Sequence, residues 1–88
     1  MRLDLFLKKT RIIKSRAKSR AICKKGRVRL NNTIAKPEKY VKAEDIINID
    51  FGKRILEIKI TSIPQGNVSK RKAPSYYKVI RNEKIDII

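Results

Sequence analysis

A row of cations is the feature of this sequence with the clearest chemistry. Arg16, Arg20, Lys24 and Arg27 follow one another at i, i+4, i+8 and i+11, a spacing that stacks side chains along one flank of a helix. Like charges four apart destabilise an isolated helix by roughly 0.2–0.5 kcal/mol per pair, so the row serves something outside the helix. A phosphate backbone suits it, because rigidly placed guanidinium and ammonium groups can meet successive anions. Arg11 and Lys14 lie just upstream and extend the same basic surface. The other reactive residue types do not assemble into a site. Histidine is absent and Cys23 is the single cysteine, which excludes an imidazole base, an internal disulfide and a multi-cysteine zinc site. Cys23 shares a stripe with Ser19, Ile22 and Gly26 and reads as a core thiol, since a catalytic thiolate would want a neighbouring base. Asp45 and Asp50 are five apart in an expected strand, hence on opposite faces and a poor acid–base pair. The three glycines are scattered, so no glycine-rich loop cradles a phosphate. A binding protein is expected, with no catalytic residue, metal or cofactor.

The whole chain carries 24 Lys and Arg against 8 Asp and Glu, a formal charge of +16. Such an excess destabilises a compact state by self-repulsion, so it points to a polyanionic partner; composition by itself admits RNA, DNA or an acidic membrane. Residues 1–29 hold twelve of the cations and one acid, Asp4, whereas residues 30–88 hold the other twelve and seven acids. The first third is therefore the expected polyanion-facing surface. A chain of 88 residues buries only about 60–65% of its unfolded surface, too little for a deep catalytic cleft. No apolar run approaches the roughly 20 residues of a membrane span. Met1-Arg2-Leu3-Asp4 lacks the apolar stretch of a secretion signal, and a cytoplasmic location is expected.

The cations need a scaffold, and the apolar spacing supplies one. Leu3, Phe6 and Leu7 repeat at i, i+3, i+4, the mark of an apolar helical face, and predict a short helix from about Arg2 to Lys9. Ile12 and Ile13 pack in the connection. Ser15 is the expected N-cap of a second helix reaching about Lys25 and stopped by Gly26; Lys18 stands where a reciprocal capping box would have an acid. From Val28 the period becomes two. Val28 and Leu30 alternate, Asn31-Asn32 makes a turn that tolerates positive φ, and Thr33-Ile34 returns the chain. After the polar loop Lys36-Pro37-Glu38-Lys39, Ile47, Ile49 and Phe51 alternate in one strand and Leu56, Ile58 and Ile60 in another, with Gly52-Lys53 at the turn. Pro64, Gly66 and Pro74 mark a loop that carries the basic run Lys70-Arg71-Lys72. The stretch from Tyr76 to Ile88 fits either a short helix or an added strand. The expected organisation is α+β: two short N-terminal helices packed on a small antiparallel sheet over 1–63, then a basic extension over 64–88.

Charge alone binds weakly and promiscuously, so specificity must come from rigid placement of the cations. The shortage of exposed aromatics argues against a single-strand reader. Recognition of folded RNA by shape fits better, because side chains cannot enter the narrow A-form major groove. A DNA reader wants a longer recognition helix and a dimerisation stripe; neither is visible, and a monomer is expected. A membrane-surface helix wants a large apolar face opposite the basic one, and the second helix offers only Ser19, Ile22 and Cys23.

The segment Arg2-Leu3-Asp4-x-Phe6-Leu7, then Arg11, then Ser15-Arg16 with Gly26-x-Val28-x-Leu30-Asn31, resembles the alpha-L RNA-binding motif. That motif is named after a protein of the small ribosomal subunit and occurs also in tyrosyl-tRNA synthetases and pseudouridine synthases. The likeness covers residues 1 to about 52, with Ser19, Cys23 and Asn32 as small or turn-compatible departures. An RNA-modifying member would need a catalytic Asp domain that this sequence does not contain. The layout is similar to the free-standing RqcP-type members of bacterial ribosome quality control and to the related fifteen-kilodalton heat-shock proteins. The resemblance implies binding to the large ribosomal subunit, at its ribosomal RNA and peptidyl-tRNA. It also implies action beside a tail-elongation quality-control factor or, in the heat-shock type, rescue of obstructed subunits. It marks Arg2 and Arg16 as the first expected RNA contacts; Arg11, Lys14, Arg20, Lys24 and Arg27 follow from the helical-face argument.

Overall fold

A computed structural model describes residues 1–85. Two helices, α1 (Leu3–Lys9) and α2 (Arg16–Lys24), precede β1 (Val28–Leu30), β2 (Thr33–Ile34), β3 (Ile46–Asp50) and β4 (Arg54–Ile60); a 3-10 turn (Ala73–Tyr76) then leads into β5 (Tyr77–Lys84). The five strands form one antiparallel sheet in the order β2-β1-β3-β4-β5, and the helices pack on it. Leu3, Phe6 and Leu7 of α1, Ile13 of the connection and Cys23 of α2 are buried with Val28, Ile47, Ile49, Ile58 and Ile60 of the sheet. The apolar periodicities of helix and strand thus meet in one core.

Local chemistry accounts for the boundaries. The Ser15 hydroxyl accepts from the backbone N–H of Lys18 at 3.1 Å, satisfying one free donor at the start of α2. Gly26, at φ +73°, turns the chain out of the helix. Asn31 and Asn32 both take positive φ, 50° and 71°, as a two-residue hairpin turn of this hand requires. The N-terminus is laced to the segment after β2. Leu3 N–H donates to the Lys39 carbonyl at 2.7 Å, Asp4 N–H to Pro37 at 3.0 Å, and Val41 N–H to Met1 at 2.9 Å. The polar loop around Pro37 therefore satisfies donors that α1 cannot satisfy itself.

One expectation needs correction, and one open alternative is resolved. Asp45 lies just before β3 rather than within it, and its buried carboxylate accepts from Lys42 N–H (2.9 Å), Lys42 Nζ (2.9 Å) and Asn31 Nδ2 (3.1 Å). Burial by itself would raise its pKa, but those bonds and the Lys42 charge outweigh it and hold it below the ordinary carboxylate value. It locks the β1–β2 turn to the loop before β3. The stretch from Tyr76, open between helix and strand, forms β5 through Lys84, paired along β4 from Ile60↔Tyr77 to Arg54↔Lys84, with a register shift at Glu57/Ile58. The end of that stretch, residues 86–88, lies outside the described residues.

Candidate nucleic-acid interface

Asp4 stands in the first turn of α1, fully buried. Its Oδ1 accepts from the Leu5 backbone N–H at 2.8 Å, so the carboxylate is fixed at the helix start, where a negative charge is favoured. Three arginines converge on it. Arg2 makes a two-pronged contact, Nε to Oδ1 at 3.2 Å and Nη2 to Oδ2 at 3.1 Å. Arg16 Nε stands 3.5 Å and Arg20 Nη1 3.9 Å from Oδ2. The arginine side chains keep 31%, 45% and 43% exposure while the aspartate keeps none. One buried anion thus gathers three cations and leaves a surplus of two positive charges facing solvent. The geometry is that of an anion-receiving surface: guanidinium groups pinned from below and open from above, able to fork onto phosphate oxygens.

The expected row along α2 is therefore not unpaired, as the spacing suggested; Asp4, from another helix, sits under it. Lys24, one turn past Arg20, stays exposed on the same flank. Arg27 does not share it. The helix ends at Lys24 and Gly26 reverses the chain, which sends Arg27 to the opposite flank, where it lines a shallow groove with Lys18, Lys25 and Phe51. Arg11 and Lys14 both lie exposed in the α1–α2 connection. Arg11 takes φ +60° and its guanidinium donates to the Val68 carbonyl at 3.4 Å. The role of Asp4 escaped the sequence reading. Its signal was present, as the single acid among the first 29 residues, two positions after Arg2, but only the tertiary crossing of α1 and α2 brings Arg16 and Arg20 to it.

Cys23 is buried, and its thiol is pushed up to about 11, first by burial and then by the negative charges of Asp4 and Glu38. It is a protonated core thiol at neutral pH. Tyr77 is half-buried against the core, with Tyr76 half-buried beside it. Among the described residues no group of three or more His, Cys, Asp or Glu side chains could hold a metal ion, and no helix is long and apolar enough to cross a membrane.

Comparison with known proteins places this geometry in a family. The S4 domain model matches residues 1–47. The RQC P-site tRNA stabilizing factor of Halalkalibacterium halodurans is 38% identical over 85 residues, 97% of this chain and 96% of the relative. Its namesake from Listeria monocytogenes is likewise 38% identical, over 98% of this chain and 92% of its own. Among solved structures, the trimeric structure of Vibrio cholerae Heat Shock Protein 15 superposes with a TM-score of 0.83 at 29% identity, covering 90% of this chain and 80% of that one. With the family model spanning both helices, β1, β2 and the start of β3, and relatives alike over nearly their full length, this chain belongs to the S4-domain family, together with the proteins named RQC P-site tRNA stabilizing factor.

Proposed function

We propose that this protein is a non-catalytic RNA-binding factor of ribosome quality control. It docks on the large ribosomal subunit that retains peptidyl-tRNA, and steadies that tRNA while a tail-elongation factor extends the nascent chain. The observation that carries the proposal is the arginine cluster on Asp4, a fixed surplus of positive charge in a chain alike end to end to factors named for stabilising P-site tRNA. Arg2 and Arg16 are the primary RNA contacts, joined by Arg20 and Lys24 on the same flank and by Arg11 and Lys14 in the connection. Arg27 contributes from the other side of α2. The burial and protonation of its one thiol, Cys23, support a binding rather than a catalytic role. The protein acts as a monomer beside its partner factor.

A second reading has one observation in its favour. The similarity to Heat Shock Protein 15 supports a recycling role on obstructed large subunits, with the same RNA surface and no tailing partner. Sedimentation of tagged protein through a sucrose gradient tests both. The expected result is salt-sensitive co-migration with free large subunits carrying peptidyl-tRNA, lost on Arg16→Ala with the fold intact. Protein at the top of the gradient, or spread over all nucleic acid, overturns the ribosomal assignment. Loss of alanine-tailed products in cells lacking the protein separates tailing from recycling.

A further inference from the structure

The basic run Lys70-Arg71-Lys72 is the sequence motif that the arginine cluster does not absorb, and it sits on a built turn. The Ser69 carbonyl accepts from the backbone N–H groups of Lys72 at 3.1 Å and Ala73 at 3.0 Å, and its hydroxyl accepts from Lys72 N–H at 3.2 Å. The Ser75 hydroxyl donates to the Lys72 carbonyl at 2.6 Å. Pro64 and Ala73 are buried at the two ends of the loop, and Val68 is half-buried between them. From the other side, one cation at the end of α1 and one in the connection after it hold the loop: Lys9 Nζ donates to the Gly66 carbonyl and Arg11 Nη2 to the Val68 carbonyl. These tethers join positions 57 residues apart in the chain.

Backbone carbonyls hold Lys9 and Arg11 without neutralising them, so docking the loop adds positive charge to positive charge. None of Lys8, Lys9, Arg11, Lys14, Lys70, Arg71 and Lys72 forms an ion pair among the described residues. The fold holds a loop against a surface that repels it, and an external polyanion relieves that repulsion. Along α1 this surface follows the arginine cluster. Lys8 lies one helical turn beyond Asp4, and from Asp4 to Arg11 the chain advances on the order of 10 Å at helical rise.

We propose that Lys70, Arg71 and Lys72, held in place by Lys9 and Arg11, form a second contact site for an RNA phosphate backbone, taking the RNA onward from the arginine cluster. The inference rests on the RNA-binding reading of that cluster. An acidic protein is the competing ligand. A stable protein interface needs a buried aromatic or aliphatic anchor, whereas the exposed residues of the loop are Gln65, Gly66, Asn67, Ser69 and the three cations. Phosphates need only the cations.

The test is the full-length chain with Lys70→Ala, Arg71→Ala and Lys72→Ala together, leaving Ser69 and Ser75 to close the turn, beside Arg16→Ala. Each is titrated against salt-washed large ribosomal subunits and against protein-free large-subunit ribosomal RNA over a range of KCl. The expected result is weaker binding to both, with the slope of log affinity against log salt shallower by about 3, one for each cation removed. If the triple variant keeps wild-type affinity and slope on both probes while Arg16→Ala loses affinity, the loop is no RNA site and the reading of the cluster stands. Wild-type behaviour on ribosomal RNA with loss on subunits alone would make the loop a protein-docking element, which also overturns the inference. If Arg16→Ala binds as well as wild type, the cluster reading fails and takes this inference with it.

Discussion

Asp4 is where charge count and charge placement can be told apart. Replacing it by Asn removes a negative charge from a protein already at +16, so an RNA attracted by net charge alone would bind Asp4→Asn more tightly. If placement matters, affinity falls, because Arg2, Arg16 and Arg20 lose the anion that aims them. We expect the second outcome, measured by titration of ribosomal RNA at fixed salt, with a stability loss of only about 1–2 kcal/mol. The arginines are a third to nearly half exposed and recover water when released, which discounts the pairing energy. Tighter binding by Asp4→Asn would sink the idea of a positioned cluster. A neighbouring residue makes the opposite kind of prediction. Ser19 is fully buried in α2, and its hydroxyl has no hydrogen-bond partner among the described residues. Ser19→Ala removes an unsatisfied polar group, worth roughly 1 kcal/mol, and adds the better helix former. The urea midpoint should rise; a fall would mean that the hydroxyl has a partner, such as a bound water. Residue types and spacing made the cations legible in the sequence. The carboxylate beneath them was not, because its partners come from the N-terminus and from a second helix.

Among the elements, α2 is legible because every cue agrees: Ser15 caps it, Gly26 ends it, and Ser19 and Cys23 mark its buried side. Its cap also links fold to function, since Arg16 is the first helical residue after it. Ser15→Ala should cost about 1 kcal/mol of stability and loosen the turn that carries Arg16. Differential scanning calorimetry and RNA titration together check this, and unchanged values in both would show that the first turn of α2 is held by packing alone. The hairpins were equally readable, since β3 and β4 each bury every second residue against the helices. Strand β5 was not. Apart from half-buried Tyr77 it is exposed on both faces, and a strand with no buried face leaves no alternation to find. The register shift at Glu57/Ile58 disturbs what periodicity remains. The placement of Arg27 on the shared flank failed for a related reason: helical arithmetic carried past Gly26 projects a side chain onto a flank that the chain has already left.

At the scale of the molecule, the same charge acts on stability and on binding with opposite signs. Twenty-four cations against eight acids repel one another in the folded state, and few are compensated. Six ion pairs exist among the described residues, and three of them share Asp4. Added salt screens the repulsion over a Debye length of about 10 Å at 0.1 M, while the contacts to buried Asp4 are screened much less. The melting temperature should therefore rise between 50 and 200 mM KCl. Over the same interval RNA affinity should fall by about 10³–10⁵, if roughly 6–10 phosphates are contacted. Scanning calorimetry of the free protein and RNA titration in matched buffers measure the two trends. A melting temperature that falls with KCl would mean that the native state depends more on its ion pairs than it suffers from its excess charge. The cations would then be structural, and the case for an external polyanion would lose its physical basis. Opposed trends would fit a chain whose fold tolerates a charge that only its ligand neutralises.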